Sequence, residues 1–182
     1  MYLKHILLAI TAFFLLSFSK DTGTVEFKYP KSKEAVFTIS ADKLGKFQKE
    51  WRGEDYYYIC EKAESGIICS VLFYKLNKDE EKAMVSMTGP MAGIPFIYFS
   101  DNSNLKPYEK NNQSWGKVSD DFMFRQNDIL EFEGIKVKQK HMYAYGMFGT
   151  DLFVNVHLSK ANYSTSDSAA MREILASVVK KK

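Results

Sequence analysis

The segment from Tyr56 to Tyr74 restricts the fold more than any other part of the chain. Tyr56-Tyr57-Tyr58-Ile59-Cys60 and Ile67-Ile68-Cys69-Ser70-Val71-Leu72-Phe73-Tyr74 are aromatic and β-branched, and Ala63-Glu64-Ser65-Gly66 between them reads as a four-residue hairpin turn. Alternation places Tyr56, Tyr58, Val71 and Phe73 on one face, and Tyr57, Ile59, Ile68 and Leu72 on the other. A strand pair that is apolar on both sides belongs inside a sheet covered on both faces.

The same turn pairs Lys62 with Ile67 and therefore sets Cys60 opposite Cys69, the chain's two cysteines. In a non-hydrogen-bonded antiparallel pair the Cα atoms lie about 4.5 Å apart, within reach of a disulfide. The compartment favours oxidation. Residues 1–19 combine Lys4 and His5, an apolar run from Ile6 to Phe18, and small residues Ser17 and Ser19 before Lys20. That is the pattern of a cleaved secretory signal peptide, and the run is too short to span roughly 30 Å of hydrocarbon. No cysteine follows the run to accept a lipid. These features predict a secreted or periplasmic protein with no transmembrane segment after cleavage, residues 20–182 forming one domain with a Cys60–Cys69 disulfide. The Cys-x8-Cys spacing does not suit a redox pair.

Along the rest of the chain, 24–29 and 36–40 read as strands. Ser40 is placed to cap a helix carrying Leu44, Phe47 and Trp51, and Asn77 with Glu80 opens a second helix running to about Met87. Residues 94–99 read as a short strand, and Ser100 to Ser114 as a polar loop. A hairpin of 135–147 and 151–158 follows, with Gly149-Thr150 as a two-residue type II′ turn that pairs Phe148 with Asp151. Ser164 or Ser166 then caps a final helix striped by Met171, Ile174, Leu175, Val178 and Val179. The sum is an α+β domain, an antiparallel sheet covered by helices on both faces in an α/β/α sandwich.

The long hairpin, the link Asn162-Tyr163-Ser164 and the closing helix, with Phe27-Lys28-Tyr29-Pro30 before Val36-Phe37-Thr38-Ile39, resemble the PsbP-like fold. That family includes an extrinsic photosystem II subunit, a nuclear Ran-binding protein and many secreted bacterial proteins of unknown role. The resemblance implies an antiparallel sheet between helices and, usually, no catalysis.

Chemical constellations are sparse. His141 and His157 lie on adjacent strands, but the register above points them to opposite faces, which argues against a shared metal site. Met84, Met87 and Met91 read as core filler, not a thioether copper site. Ser40-Ala-Asp-Lys43 with Ser100-Asp101-Asn102 imitates two penicillin-recognising motifs, but Lys-Thr-Gly is absent. The formal charge of +3 is too small to mark a nucleic-acid binder. Lys136, Lys138 and Lys140 alternate onto one face, with Asn155 and His157 expected beside them, as a candidate anion- or partner-binding patch. The expectation is an exported non-enzymatic accessory or interaction protein without metal or cofactor. A carrier of a small hydrophobic or anionic ligand is the alternative, and an unrecognised hydrolase the third reading, needing a nucleophile–base pair.

Overall fold

The computed structural model describes residues 23–31, 36–52, 55–60, 63–86 and 111–181. The expected leader, the strand at 94–99 and most of the polar tract 100–114 lie outside these residues, as do Met87 and Met91. The elements are β1 (Thr24–Lys28), β2 (Val36–Ser40), β3 (Gln48–Arg52), β4 (Asp55–Cys60), β5 (Ile68–Lys75), α1 (Lys78–Ser86), β6 (Asn111–Lys117), β7 (Phe122–Phe132), β8 (Ile135–Phe148), β9 (Leu152–Ala161), α2 (Thr165–Ala176) and β10 (Val179–Lys180).

Seven strands form one antiparallel sheet in the order β3-β4-β5-β9-β8-β7-β6, and β1-β2-β10 form a small second sheet. The β4–β5 hairpin has the register its turn dictates, Cys60 opposite Cys69, and it lies inside the large sheet with β3 and β9 beside it. One face of the large sheet, here the core face, carries Val71, Phe73, Met142, Ala144, Val154, Val156 and Leu158. The small sheet supplies Phe27, Phe37 and Ile39, and α2 supplies Met171, Ile174 and Leu175, all to this one cluster.

This arrangement corrects the α/β/α sandwich. Among the described residues there are two helices, and strand dominates. Residues expected to form a helix after Ser40 instead make a turn and then β3, where Lys49 pairs with Tyr58 and Trp51 with Tyr56. The local sequence Gln-Lys-Glu-Trp-Arg suits a helix, but the free edge of β4 offers a complete row of backbone partners, and tertiary pairing overrides propensity. The β6–β7 hairpin adds two further strands that no periodicity had marked.

The helix caps follow their sequence signals. Asn77 Oδ1 accepts from the amides of Asp79 and Glu80, while Glu80 takes the Asn77 N–H. Ser164 and Asp167 form the same reciprocal box at α2, and the Ser164 bonds hold the Asp167 carboxyl below its ordinary range. Val179 leaves the predicted stripe, because the chain turns into β10 and pairs with β2.

The expected disulfide is also corrected. Cys60 and Cys69 are free, buried thiols whose sulfurs are too far apart to bond. Cys60 Sγ accepts the Gly45 N–H at 3.0 Å, which turns it toward the β2–β3 connection. Burial, reinforced by Cys60, pushes the Cys69 thiol far up from its usual pKa, so it resists both ionisation and exchange. A thiol reagent should therefore find no reactive cysteine in the native protein and two per chain after denaturation. None after denaturation without reductant would restore the disulfide.

Candidate functional site

The β8–β9 hairpin decides the site. Its connection is Gly149-Thr150-Asp151, with Gly149 at φ +62°, and Phe148 pairs with Leu152 instead of Asp151. That one-residue difference reverses the parity of β9 against β8. His141 lies opposite Ser159 and His157 opposite Tyr143, so both imidazoles stand on the far face of the sheet, away from the core face.

His141 Nδ1 and His157 Nε2 are 2.9 Å apart, with ring centroids at 5.2 Å and planes 10° apart. The centroid separation exceeds the N···N distance by only the two ring radii. The rings are therefore coplanar and edge to edge, with two nitrogens aimed straight at each other. Such a geometry holds a shared proton. It cannot hold a zinc ion on that line, which needs about 2.0–2.1 Å to each nitrogen. No cluster of three His, Cys, Asp or Glu side chains suited to a metal occurs among the described residues. Burial drives both imidazoles toward the neutral form, His141 to about 4 and His157 to about 3, with the neighbouring His141 adding to the effect on His157. One neutral ring donates to the other, and the choice of donor fixes whether His141 Nε2 carries a proton.

These rings belong to a stack that crosses four strands. From the edge inward it runs Trp115 on β6, Arg125 on β7, Tyr143 on β8 and His157 on β9. The Arg125 guanidinium carbon sits 4.8 Å from the Trp115 ring centre and 5.9 Å from that of Tyr143. Tyr143 stacks on His157 at 4.4 Å, and its phenol is pushed up to about 12 by burial, against a small opposing pull from Arg125. Beyond it, Tyr145 and Phe153 continue the parallel series in an apolar cluster with Leu76.

Arg125 is the anomaly. Only 3% of it is exposed, its Nε has no hydrogen-bond partner, and its Nη2 makes a single long contact of 3.5 Å to Gln113 Oε1. Among the described residues no carboxylate forms an ion pair with it. Asp128, three residues on, faces the other side of the sheet, where Lys140 closes on it at 2.6 Å. Two other polar atoms of the far face, His141 Nε2 and Asn155 Oδ1, are likewise buried and unpartnered. Buried polar groups are normally satisfied, and a buried charge without a counter-charge is rarer still.

The sequence-derived lysine patch is placed differently from its expectation. Lys136, Lys138 and Lys140 do share a parity, but His157 and Asn155 lie on the opposite face. Lys140 is buried against Asp128, which also accepts from Asn112 Nδ2 at 2.7 Å and from Tyr163. Lys138 and Lys140 both lie over the Tyr163 ring, at 4.8 and 4.7 Å. Burial opposes the ionisation of Asp128, but its bonds to Lys140 and Asn112 prevail and hold the carboxyl below its ordinary range. Tyr163 thus links β8 to the start of α2.

The nucleophile–base pair of a hydrolase is not assembled on this face. Ser70 is opposite His157 and Ser159 opposite His141, yet neither hydroxyl is hydrogen-bonded to an imidazole, and the facing ring nitrogens bond each other. On the core side, a groove of about 170 Å³ lies between Lys117, Val118, Phe124, Arg172 and Leu175. Its cations already have partners: Arg172 donates to Gln126 and Lys117 pairs with Asp120.

No family model and no curated protein matches the chain. The site therefore rests on its own geometry. Sequence reasoning passed over Arg125 because residues 118–132 carried no assigned element. The available signal was a lone Arg in the otherwise uncharged stretch Phe122-Met-Phe-Arg-Gln-Asn127.

Proposed function

We propose that this protein is an exported, non-catalytic binding protein whose ligand is a small anion received at Arg125. The observation that carries the reading is the buried guanidinium, ion-paired with no carboxylate among the described residues and with its Nε unpartnered. Taking such an ion out of water costs several kcal/mol unless an opposite charge meets it. The two aromatic neighbours recover part of that, about 0.5–2 kcal/mol each. An incoming anion supplies the remainder, and the protein gains affinity from a charge it already holds in place. Export is supported by the composition of residues 1–19.

A second reading, a protein-interaction module, draws on the β7–β8 ribbon. Beyond Asp128 and Gln139 the two strands join the ladder of no third strand among the described residues, and the tip exposes Leu130 and, at 63%, Ile135. Exposed apolar residues on a projecting ribbon suit a protein partner.

Calorimetric titration of the full chain with benzoate and with inorganic sulfate, beside an Arg125→Met variant, tests the leading reading. The wild type should take up one anion per chain, and the variant none over the same concentration range. Equal uptake by both proteins, or none by either, would overturn it.

A further inference from the structure

Resting on that reading, we infer that the anion is a monocarboxylate with an apolar body, held side-on by Nε–H and Nη2–H of Arg125. Three features of the site select this class. The first is geometric. The guanidinium carbon lies over the Trp115 and Tyr143 rings, at 4.8 and 5.9 Å, from the strands on either side of β7, so those two directions are taken and an anion must meet the guanidinium elsewhere. The in-plane edge short of partners is the Nε–Nη2 pair, Nε buried and unpartnered and Nη2 in a 3.5 Å contact with Gln113. Two parallel N–H groups match the two coplanar oxygens of a carboxylate, which is the bidentate fork.

The second feature is charge. Around Arg125 on the far face stand His141, His157 and Tyr143, each held neutral near pH 7 by burial. Lys140, on the adjacent strand, is turned to the other face and neutralised by Asp128. One positive charge therefore awaits one negative charge, and a phosphate dianion would bring a surplus into a poorly solvated place. The third feature is the neighbourhood. Met123, two residues from Arg125 on the same face, packs with Tyr145, Phe153 and Leu76 in the apolar cluster. A ligand whose carboxylate meets Arg125 lays its hydrocarbon part against Met123, a partly buried member of this cluster. Trp115, on the edge strand and 42% exposed, marks the side from which it enters.

The test is a binding panel on the full-length chain at pH 7: benzoate, hexanoate, neutral benzamide and inorganic phosphate, each with wild type, Arg125→Met and Arg125→Lys. Circular dichroism and unfolding curves confirm that each variant folds. Benzoate and hexanoate should bind the wild type at least about tenfold more tightly than phosphate does, with benzamide not competing. Both variants should lose at least about tenfold in carboxylate affinity, Lys included, because an ammonium cannot offer the coplanar pair. Phosphate binding as tightly as the carboxylates, in an Arg125-dependent way, would overturn the carboxylate assignment and leave anion binding standing. Carboxylate binding that survives Arg125→Met, or no anion binding at all, would overturn both.

Discussion

Replacing Lys140 with Met will destabilise the protein by about 3–5 kcal/mol, because it leaves the Asp128 carboxylate buried without its cation. Asp128 is 2% exposed and its ion pair with Lys140 spans 2.6 Å, so water cannot take over the role of the ammonium. Asn112 and Tyr163 still bond the carboxylate, but neither brings a charge. The sign of the pH dependence is fixed by the two states of Asp128. In the wild type its folded pKa lies below the unfolded value, so its contribution is present above about pH 4 and lost as pH falls through the folded pKa. Without Lys140, burial raises the folded pKa above the unfolded one, and protonation relieves the folded state. The stability gap between variant and wild type therefore narrows as the pH falls. Urea unfolding at pH 7 and pH 4.5 measures it. The double variant Asp128→Asn/Lys140→Met should recover most of the loss at pH 7. A single variant within about 1 kcal/mol of wild type would show the pair to be solvated.

The histidine pair produces the second large effect, in acid. Burial first, and for His157 also the neighbouring imidazole, lowers the folded pKa values to about 4 and 3, against about 6.5 in an unfolded chain. Below pH 6.5 the unfolded chain binds protons that the folded one refuses. Stability is therefore full above that pH and falls as the pH drops toward 4, with a slope of up to about 2.7 kcal/mol per pH unit if both rings take part. Burial disfavours a positive charge on either ring, while Asp128 across the sheet pulls His141 weakly the other way. Unfolding free energies from pH 8 to pH 5 follow the slope, and the ring C–H shifts of both histidines should stay flat over the same range. Histidine shifts that titrate near pH 6.5 would refute it.

What the sequence disclosed depended on whether the two faces of a strand differed. The β4–β5 register was legible because the turn length fixed it, and α2 because Ser164, Asp167 and the Met171–Ile174–Leu175 stripe agree. In β8 the two faces are nearly equivalent to the eye: Tyr143 and Tyr145 on one, Met142, Ala144 and Gly146 on the other. Pairing the tyrosines with Val154 and Val156 looks reasonable and is off by one residue. The true register turns the small residues to the core face, where space is short. A Cβ on Gly146 would come within 2.6 Å of the Phe122 ring, so only glycine lets β7 and β8 close there. With parity reversed, His141 and His157 come together, and the lysines part from His157. Arg125 could be flagged from the sequence only as a lone charge among Phe122 to Asn127. Its significance is that no carboxylate among the described residues pairs with it, and only three-dimensional neighbours can reveal that.

The sharpest check on the account is the unfolding free energy of Arg125→Met without added ligand, followed by the same measurement in saturating benzoate. Removal of an unpaired buried charge should leave the ligand-free variant as stable as wild type or more stable by about 1 kcal/mol, even after the lost stacking on Trp115 and Tyr143. Benzoate should then stabilise only the wild type, by about 2.7 kcal/mol at a hundredfold excess over its Kd. A variant that is 2 kcal/mol or more weaker, beside a wild type indifferent to the anion, would make Arg125 a structural residue and end the case for a ligand there.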